Sequence, residues 1–273
     1  MSYELNSVDL TTYGIIPGQV PGSNIAMGGI FDLPKRMGKT FHDWGDEDGI
    51  EPYVDASEIF FEGRDLVFRG IIFGANTDVY ENLSSFRAAI DSVTGTSTFE
   101  TPYGTFDVRV KEYNVVTFAG GAEVDIKLRE PVVDLGEVAV PSTGTSPYTI
   151  DGVPMTSYGL YTSIKRDALD LPEYKGQAYT KYGAEWFHPT KRKFNKLDFR
   201  GFIEADDLTD FTNKVGALYT TFSQEGLRYL KFNDELAVTG FSDEGFTVSN
   251  IFKGTKVYGI FGMKMKIIAY EDL

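Results

Sequence analysis

The chain lacks cysteine and is poor in the residues that most often carry out catalysis. Its 273 residues include no Cys, two Trp and two His, which are His42 and His188. Without thiols, disulfides and cysteine nucleophiles are excluded, which fits a reducing compartment or an assembly stabilised by its neighbours. The sequence has no G-x-S-x-G elbow, no P-loop and no G-x-G-x-x-G turn after a strand. We therefore expect a protein that is not an enzyme and that holds no cofactor and no metal.

Long apolar runs are also absent. No stretch of the chain reaches the ~18 apolar residues that a membrane-spanning helix needs. Residues 1–14 contain neither the basic start nor the apolar centre of a secretory leader. We expect neither a membrane span nor a signal peptide.

The charge is unevenly distributed. The net charge is −14, and residues 1–140 hold 23 acidic against 10 basic side chains, whereas residues 141–273 hold 17 against 16. Such acidity opposes tight binding to a phosphate backbone, because like charges repel. It would suit a surface along which nucleic acid must pass without adhering, and it also favours solubility.

Aromatic residues and glycines are plentiful, and the chain contains two similar heptapeptides. Aromatics make up 14% of the residues and there are 29 Gly, a composition typical of β-sheet with many turns. The heptapeptides are Leu66–Ile72 (LVFRGII) and Leu197–Ile203 (LDFRGFI), 131 positions apart. Each is predicted to be a core strand that ends just before a helix.

Two further pairs of matching segments occur in the same order. Val8–Ile16 (VDLTTYGII) resembles Val153–Tyr161 (VPMTSYGLY), and Asp32-Leu33-Pro34 recurs as Asp170-Leu171-Pro172. Matches that keep their order along the chain indicate a tandem duplication of a whole domain. The spacing is far longer than the 20–50 residues of solenoid repeats.

The segment after each FRG strand has apolar residues at helical spacing. The first predicted helix covers about residues 78–94, with Asp78 as its cap and Glu81 completing a capping box. The second covers about residues 207–223, with Asp207 as its cap. A hairpin and one more strand follow each helix.

These patterns predict a mainly β protein made of two like domains. The first domain covers residues 1–140, a Pro/Ser/Thr/Gly-rich linker covers residues 141–147, and the second domain covers residues 148–273. Each domain is predicted to be a β-sandwich or half-open barrel with one flanking helix.

The long loop before each FRG strand carries opposite charge in the two domains. The acidic loop holds Asp43, Asp46, Glu47, Asp48 and Glu51, and the basic loop holds Lys181, Lys191, Arg192, Lys193 and Lys196. The acidic residues do not follow the spacing of a calcium-binding loop. Either the loops are unrelated solvated hairpins, or they meet across a subunit boundary, where opposed charges would set the register of assembly.

The order of these motifs resembles the tail-tube-like domain of tailed bacteriophages, and in particular the distal tail protein family. Val8-Asp9 through Tyr13-Gly14-Ile15 matches the opening of that domain, Asp48-Gly49 matches its turn, and Phe60–Phe73 matches its strand pair. The chain departs from the family at Glu47, where an arginine is usual, and in having a second tube-like domain.

The resemblance implies a structural virion protein, made in the bacterial cytoplasm and located in the phage tail. Such a protein forms a ring at the distal end of the tail tube, links the tube to the baseplate or tip, and lines the channel for DNA ejection. Its expected partners are further copies of itself, as a hexamer or as a trimer with pseudo-sixfold symmetry, and other tube and baseplate hub proteins. DNA would pass through the lumen without specific binding, and no membrane would be involved.

Two other functions are compatible with the sequence. A pair of carbohydrate-binding β-sandwich modules could use Trp44 and Trp186 as sugar platforms. A glycosidase would need two carboxylates at a defined separation, and no pair among the 40 acidic residues is distinguished by its position.

Overall fold

The protein is mainly β, as the sequence predicts. The computed structural model describes residues 2–44, 48–134, 136, 138–164, 174–181, 184–192, 195–233 and 236–272. Within these ranges the chain forms two eight-stranded sheets, two short hairpins and two α-helices. Neither helix has the length and the apolar character that would carry it across a bilayer.

The first half of the chain contains one sheet, one hairpin and one helix. Its elements are β1 (Glu4–Leu5), β2 (Val8–Asp9), β3 (Ile15–Pro17), β4 (Met27–Gly28), β5 (Phe41–His42), β6 (Glu51–Pro52), β7 (Arg64–Phe73), α1 (Asn76–Asp91), β8 (Ser97–Thr101), β9 (Gly104–Phe118) and β10 (Gly121–Glu130). A 3-10 turn, Leu10–Tyr13, lies between β2 and β3, and a second, Ala56–Glu58, precedes β7.

The second half repeats most of this series, without a counterpart of β4 among the described residues. They are β11 (Tyr148–Ile150), β12 (Val153–Pro154), β13 (Leu160–Ile164), β14 (Tyr174–Lys181), β15 (Ala184–Arg192), β16 (Lys196–Ala205), α2 (Leu208–Ser223), β17 (Arg228–Phe232), β18 (Leu236–Phe241), β19 (Phe246–Lys253) and β20 (Val257–Asp272). The 3-10 turn Met155–Tyr158 separates β12 from β13.

Seven strands of each sheet follow the same path, and the eighth strand differs: β4 pairs with β7 in the first sheet, and β19 pairs with β20 in the second. The first runs in the order β2-β1-β8-β9-β10-β7-β3, and the second in the order β12-β11-β17-β18-β20-β16-β13. β9 corresponds to β18 and β19 together, because β19 continues along β20 where β18 leaves it. We call the first half of the chain, with the first sheet and α1, the first repeat and the second half, with the second sheet and α2, the second repeat.

The FRG heptapeptides are β7 and β16, at equivalent places in the two sheets. Along each strand the side chains alternate between faces. Phe68 and Phe199 are therefore buried in the core, and Arg69 and Arg200 lie on the opposite face of the sheet. In each motif the phenylalanine therefore marks the face of the sheet that packs in the core, and the arginine marks the opposite face.

The glycine of each FRG motif lies under the edge strand of its sheet. A Cβ on Gly70 would be 2.3 Å from Cγ2 of Ile15, and a Cβ on Gly201 would be 2.3 Å from the carbonyl oxygen of Tyr161. Since both contacts are far inside van der Waals distance, only glycine lets β3 and β13 pack so closely on the FRG strands.

One helix cap is as predicted and the other is not. The Asp207 carboxylate accepts the backbone N–H of Asp210 at 2.8 Å, so α2 has the predicted cap. α1 begins earlier than predicted, with Ala75 at the N-cap and no capping side chain. The predicted capping box of Asp78 and Glu81 is therefore wrong, because Asp78 already lies in the first helical turn.

The cores of the two repeats join into one. Nearly all of the buried apolar side chains of both sheets and both helices belong to a single hydrophobic cluster. Phe31 of the first repeat and Phe211 of α2 meet at this junction, with ring centroids 5.1 Å apart in an edge-on arrangement. The two repeats are thus packed directly on each other.

Candidate assembly interface

A segment of the first repeat runs along the outer edge of β19. We call residues 22–36 the docking segment. Leu33 donates its N–H to the carbonyl of Phe246 at 2.9 Å, and Phe246 donates back at 3.2 Å. Asn24 donates its N–H to the carbonyl of Ile251 at 2.9 Å. The docking segment therefore covers the edge of the second sheet much as an added strand would.

Polar side chains of the docking segment satisfy further backbone groups of β19. Three side-chain oxygens accept N–H groups: Asp32 from Val248 at 2.7 Å, Ser23 from Ile251 at 2.8 Å and Asn24 from Lys253 at 2.6 Å. Burial raises the pKa of the Asp32 carboxyl, although the Val248 N–H and the charge of Arg64 act in the opposite direction. Three otherwise unpaired donors of an edge strand are satisfied in this way.

A glycine in the turn before β19 permits this close approach. Gly245 has φ of +68°, and a Cβ there would be 2.0 Å from the carbonyl oxygen of Leu33 and 2.6 Å from that of Pro34. Both the left-handed backbone and the contact with Leu33 and Pro34 require the absence of a side chain.

A buried polar cluster joins β7, β10 and α2 beneath the docking segment. Arg64 donates to the Glu130 carboxylate at 2.8 Å, to the carbonyl of Ile30 at 2.7 Å and to the hydroxyl of Tyr219 at 3.1 Å. Only 5% of Arg64 and 4% of Glu130 are exposed. Since Tyr219 belongs to α2, this ion pair is linked across the junction of the two repeats.

The electrostatics of the cluster reflect its burial. Burial raises the pKa of the Glu130 carboxyl, while the Arg64 charge and its hydrogen bond lower it. Burial also raises the pKa of Tyr219, so its hydroxyl stays protonated and donates to Ile30 at 3.4 Å. The cluster thus places a fixed positive charge, its counter-ion and a neutral donor together in a buried region.

The chain beyond the docking segment also lies against the second repeat. Asp243 forms an ion pair with Lys266 and accepts the hydroxyl of Thr40 at 2.9 Å. The amine of Lys266 lies 4.9 Å from the centroid of the Phe41 ring. Burial raises the pKa of Asp243, but hydrogen bonds and charge, chiefly from Lys266, outweigh burial and leave that pKa below its usual value.

The acidic loop begins beside the contact between Phe41 and Lys266. Its base is the pairing of β5 with β6, in which His42 lies opposite Glu51. Asp43 and Asp48 lie in the connection between these strands, and Asp46 and Glu47 lie outside the described residues. The Glu51 carboxylate accepts the indole N–H of Trp44 at 3.1 Å.

The basic residues of the second repeat are spread along a separate hairpin. Lys181 lies at the tip of the β14–β15 hairpin, whereas Lys191 and Arg192 lie at its base. At ~3.4 Å per residue, the eight-residue β14 places tip and base on the order of 20 Å apart. Lys196 begins β16, and Lys193 lies outside the described residues.

The bases of the acidic loop and the basic hairpin lie near each other within one chain. Lys196 is the register partner of Lys266, the residue that contacts the Phe41 ring. The base of the acidic loop therefore lies against the second sheet close to the start of β16. Their meeting across a subunit boundary stays a prediction.

Apolar side chains are exposed on the outer faces of both sheets. The rings of Tyr161 and Phe202 stack 5.1 Å apart, and Ile260 follows in the same row across the strands. In the first repeat the rings of Phe73 and Phe118 are 6.3 Å apart near the turn between β9 and β10. Contiguous exposed apolar groups mark surfaces that contact other molecules.

Of the remaining candidate residues, His42 and Trp44 contact each other, with ring centroids 4.0 Å apart. Trp44 is 46% exposed, and Trp186 lies on β15 opposite Tyr179. The Nδ1 atom of His42 lies 2.7 Å from the Lys39 amine, and His188 lies on β15. Over the part of the chain that the structure describes, no three His, Asp or Glu residues cluster as metal ligands. Glycan binding stays a prediction.

These features define a class of protein: a mainly β chain in which one sheet-and-helix unit occurs twice, the first unit docked on the second. No known protein family model and no curated protein matches the chain. Among solved structures, one similar chain is the Dit protein (gp 19.1) of SPP1, described as a paradigm of the hub adsorption apparatus in phages that infect Gram-positive bacteria. Its identity is 16% and its TM-score 0.37, over 47% of this chain and 48% of that one, so the match spans about half of each.

Proposed function

We propose that the protein is a structural component of a phage tail, where it forms a ring at the distal end of the tail tube and joins the tube to the baseplate or tip. It acts by binding its neighbours and not by catalysis. The observation that supports this most directly is the contact between the repeats. The first repeat presents the docking segment, and the second repeat, whose sheet follows the same seven-strand path, presents the edge of β19 and one side of α2.

A contact of this kind is heterologous, because the two partners use different surfaces. Heterologous contacts between like units generate closed rings when the rotation between the units closes. With two units in each chain, three chains would make a ring of pseudo-sixfold symmetry, and six chains would make a larger hexameric ring. Exposed aromatic groups on both outer faces would serve for contacts with the proteins above and below.

The acidic charge has a defined location in this proposal. Residues 32–62 hold nine acidic and three basic side chains, so much of the excess charge of the first repeat belongs to its long loop. The outer face of the first sheet instead carries matched pairs such as Arg69 with Asp125 and Lys127 with Glu112. An acidic loop that faces the channel would let DNA pass without binding.

The test is the assembly state of the purified protein. Native mass measurement should give three or six times 30.4 kDa, and negative-stain images should show rings with a central hole. Raising the salt concentration should weaken the rings if the oppositely charged loops meet between chains. Assemblies without a hole, or a chain that stays monomeric at its highest soluble concentration, would refute the ring.

A further inference from the structure

The part of the docking segment that contacts β19 is a sequence motif that occurs twice. In Asp32-Leu33-Pro34, the carboxylate accepts the N–H of Val248, the leucine pairs with Phe246, and the proline carbonyl lies beside the turn. The same three residues recur as Asp170-Leu171-Pro172, which lie outside the described residues. The duplication has therefore copied the residues that dock one repeat on another.

The receiving strand also has a counterpart in the first repeat. Tyr113 and Phe246 each lie two strands away from the FRG phenylalanine in the same register, so they are equivalent positions. By the same register Val115 is equivalent to Val248. The N–H of Val248 points away from its sheet to Asp32, so the N–H of Val115 points to the outer edge of β9.

This outer edge of β9 is open over the part of the chain that the structure describes. Among the described residues, no strand pairs with the outer side of β9 beyond Val108, where β8 ends. Val115 is only half-buried, whereas its equivalent Val248 is buried under the docking segment. Within the described ranges, an edge that is covered in the second repeat is therefore uncovered in the first.

The two helices differ in the same way: α1, beside the edge of β9, is exposed at a position where α2 is covered. Asn82 of α1 and Lys214 of α2 each lie against the glycine that ends the 3-10 turn of their repeat, which makes them equivalent. Arg87 then corresponds to Tyr219. The side chain of Arg87 is 69% exposed, whereas Tyr219 is buried against the first repeat.

A cleft lies where α1 meets β9. It has a volume of about 440 Å³ and is lined by Ile90, Val93, Val110, Lys111 and Tyr113, among others. The equivalent corner of the second repeat lies between Phe222 and Phe246, whose ring centroids are 6.1 Å apart. The docking segment packs at that corner of the second repeat. The cleft is the equivalent place in the first repeat, and there no described segment fills it.

We propose that a second copy of this chain occupies this surface, with its Asp170-Leu171-Pro172 pairing along β9 as Asp32-Leu33-Pro34 pairs along β19. Each chain then has one donor motif and one receiving edge. The charges also agree, because residues 165–196 hold eight basic and four acidic side chains and would meet the strongly acidic first repeat. This inference specifies the contact between neighbouring chains of the proposed ring, and it rests on that proposal for the closure of the ring.

The donor side is tested with three variants at neighbouring aspartates. Asp170→Ala should raise the concentration for half-assembly at least about tenfold, because a carboxylate acceptor for a backbone N–H is lost. Asp170→Asn keeps an acceptor oxygen and should weaken assembly less. Asp167→Ala makes the same charge change outside the motif and should behave as wild type. Equal assembly of all three variants and the wild type overturns the proposal.

The decisive experiment mixes a donor variant with a receiver variant. Val115→Pro removes the edge N–H while the ladder with β10 stays intact, and circular dichroism checks that the chain is folded. At a concentration where the wild type is assembled and each variant alone is monomeric, an equimolar mixture of Asp170→Ala and Val115→Pro should form a one-to-one dimer in native mass measurement. Each chain keeps the surface that the other lacks.

The outcomes separate this interface from the ring. Rings that form unchanged from both variants, or a mixture that stays monomeric, overturn the interface and leave the ring standing. If the wild type instead forms an assembly that has no central hole, and the variants abolish that assembly, the interface is supported and the ring is overturned. A wild-type chain that is monomeric at every concentration overturns both.

Discussion

Replacing Arg64 should be among the most destabilising single changes in the protein. Arg64→Met keeps a long apolar side chain but leaves the Glu130 carboxylate, which is 4% exposed, without its counter-ion. It also removes the donors to the Ile30 carbonyl and the Tyr219 hydroxyl. Removing one partner of a buried ion pair costs about 3–5 kcal/mol, a large part of the 5–15 kcal/mol that stabilises an ordinary domain.

A double-mutant cycle in urea measures this effect. Glu130→Met in the Arg64→Met background replaces the pair by apolar groups, and such replacements are often close to neutral. The double variant should therefore be clearly more stable than Arg64→Met alone. Tyr219→Phe, which removes only the hydroxyl, should cost about 1 kcal/mol. The cycle is completed by Glu130→Met alone. If Arg64→Met costs less than about 1 kcal/mol, or the separate effects of Arg64→Met and Glu130→Met simply add in the double variant, the cluster does not hold the repeats together as argued.

The pH dependence of Arg64→Met provides an independent check. Burial raises the pKa of Glu130 even beside Arg64, and without the arginine that pKa should rise further. A folded-state pKa above the unfolded value of ~4.3 means that the folded state binds the extra proton, so stability falls as pH rises through that interval. Arg64→Met should thus recover part of its stability at pH 5 relative to pH 8, and a flat profile would contradict the assignment.

Two further predictions concern a helix cap and an ion pair. Asp207→Ala should cost about 1 kcal/mol because the Asp210 N–H loses its acceptor, whereas Ala75→Ser should stabilise by a similar amount because α1 has no capping side chain; thermal melts that shift in the same direction would contradict this. The pKa of Asp243 is lowered, so its contribution is present above the unfolded pKa of ~3.9 and lost as pH falls below it. Asp243→Asn should therefore be less stable than wild type at pH 7 and approach it in acid, as followed by unfolding at each pH, and a constant difference would argue against the ion pair.

The unit structure could be predicted from the sequence because each matching motif has a local cause. Phe68 and Phe199 are large apolar residues flanked by residues of the opposite face, and the alternation of a strand is visible over a few positions. Gly14 and Gly159 end their 3-10 turns at φ of +68° and +64°, a conformation that favours glycine in any sequence. Local rules of this kind act equally in both repeats, so the duplication was recognisable.

The contact between the repeats could not be predicted, because its partners are distant in the sequence. Asp32 and Val248 are 216 positions apart, and no local pattern pairs an Asp-Leu-Pro segment with a particular strand edge. The predicted helix start failed for a related reason. α1 begins where the chain leaves β7, so Ala75 takes the cap position although Asp78 has the better side chain.

Because the chain is synthesised from its N-terminus, the docking segment exists for a long interval of translation before its partner, β19, has been made. The first repeat emerges from the ribosome well before β19, and a chain elongates at about 5–20 residues per second. The 216 positions between Asp32 and Val248 thus correspond to roughly 10–40 s of translation. During that time the nascent first repeat can complete its own sheet, but Leu33 and Phe31 have no second repeat to bury them. Final consolidation of the chain is therefore a late, long-range step, and crowded nascent chains could exchange docking segments before it occurs.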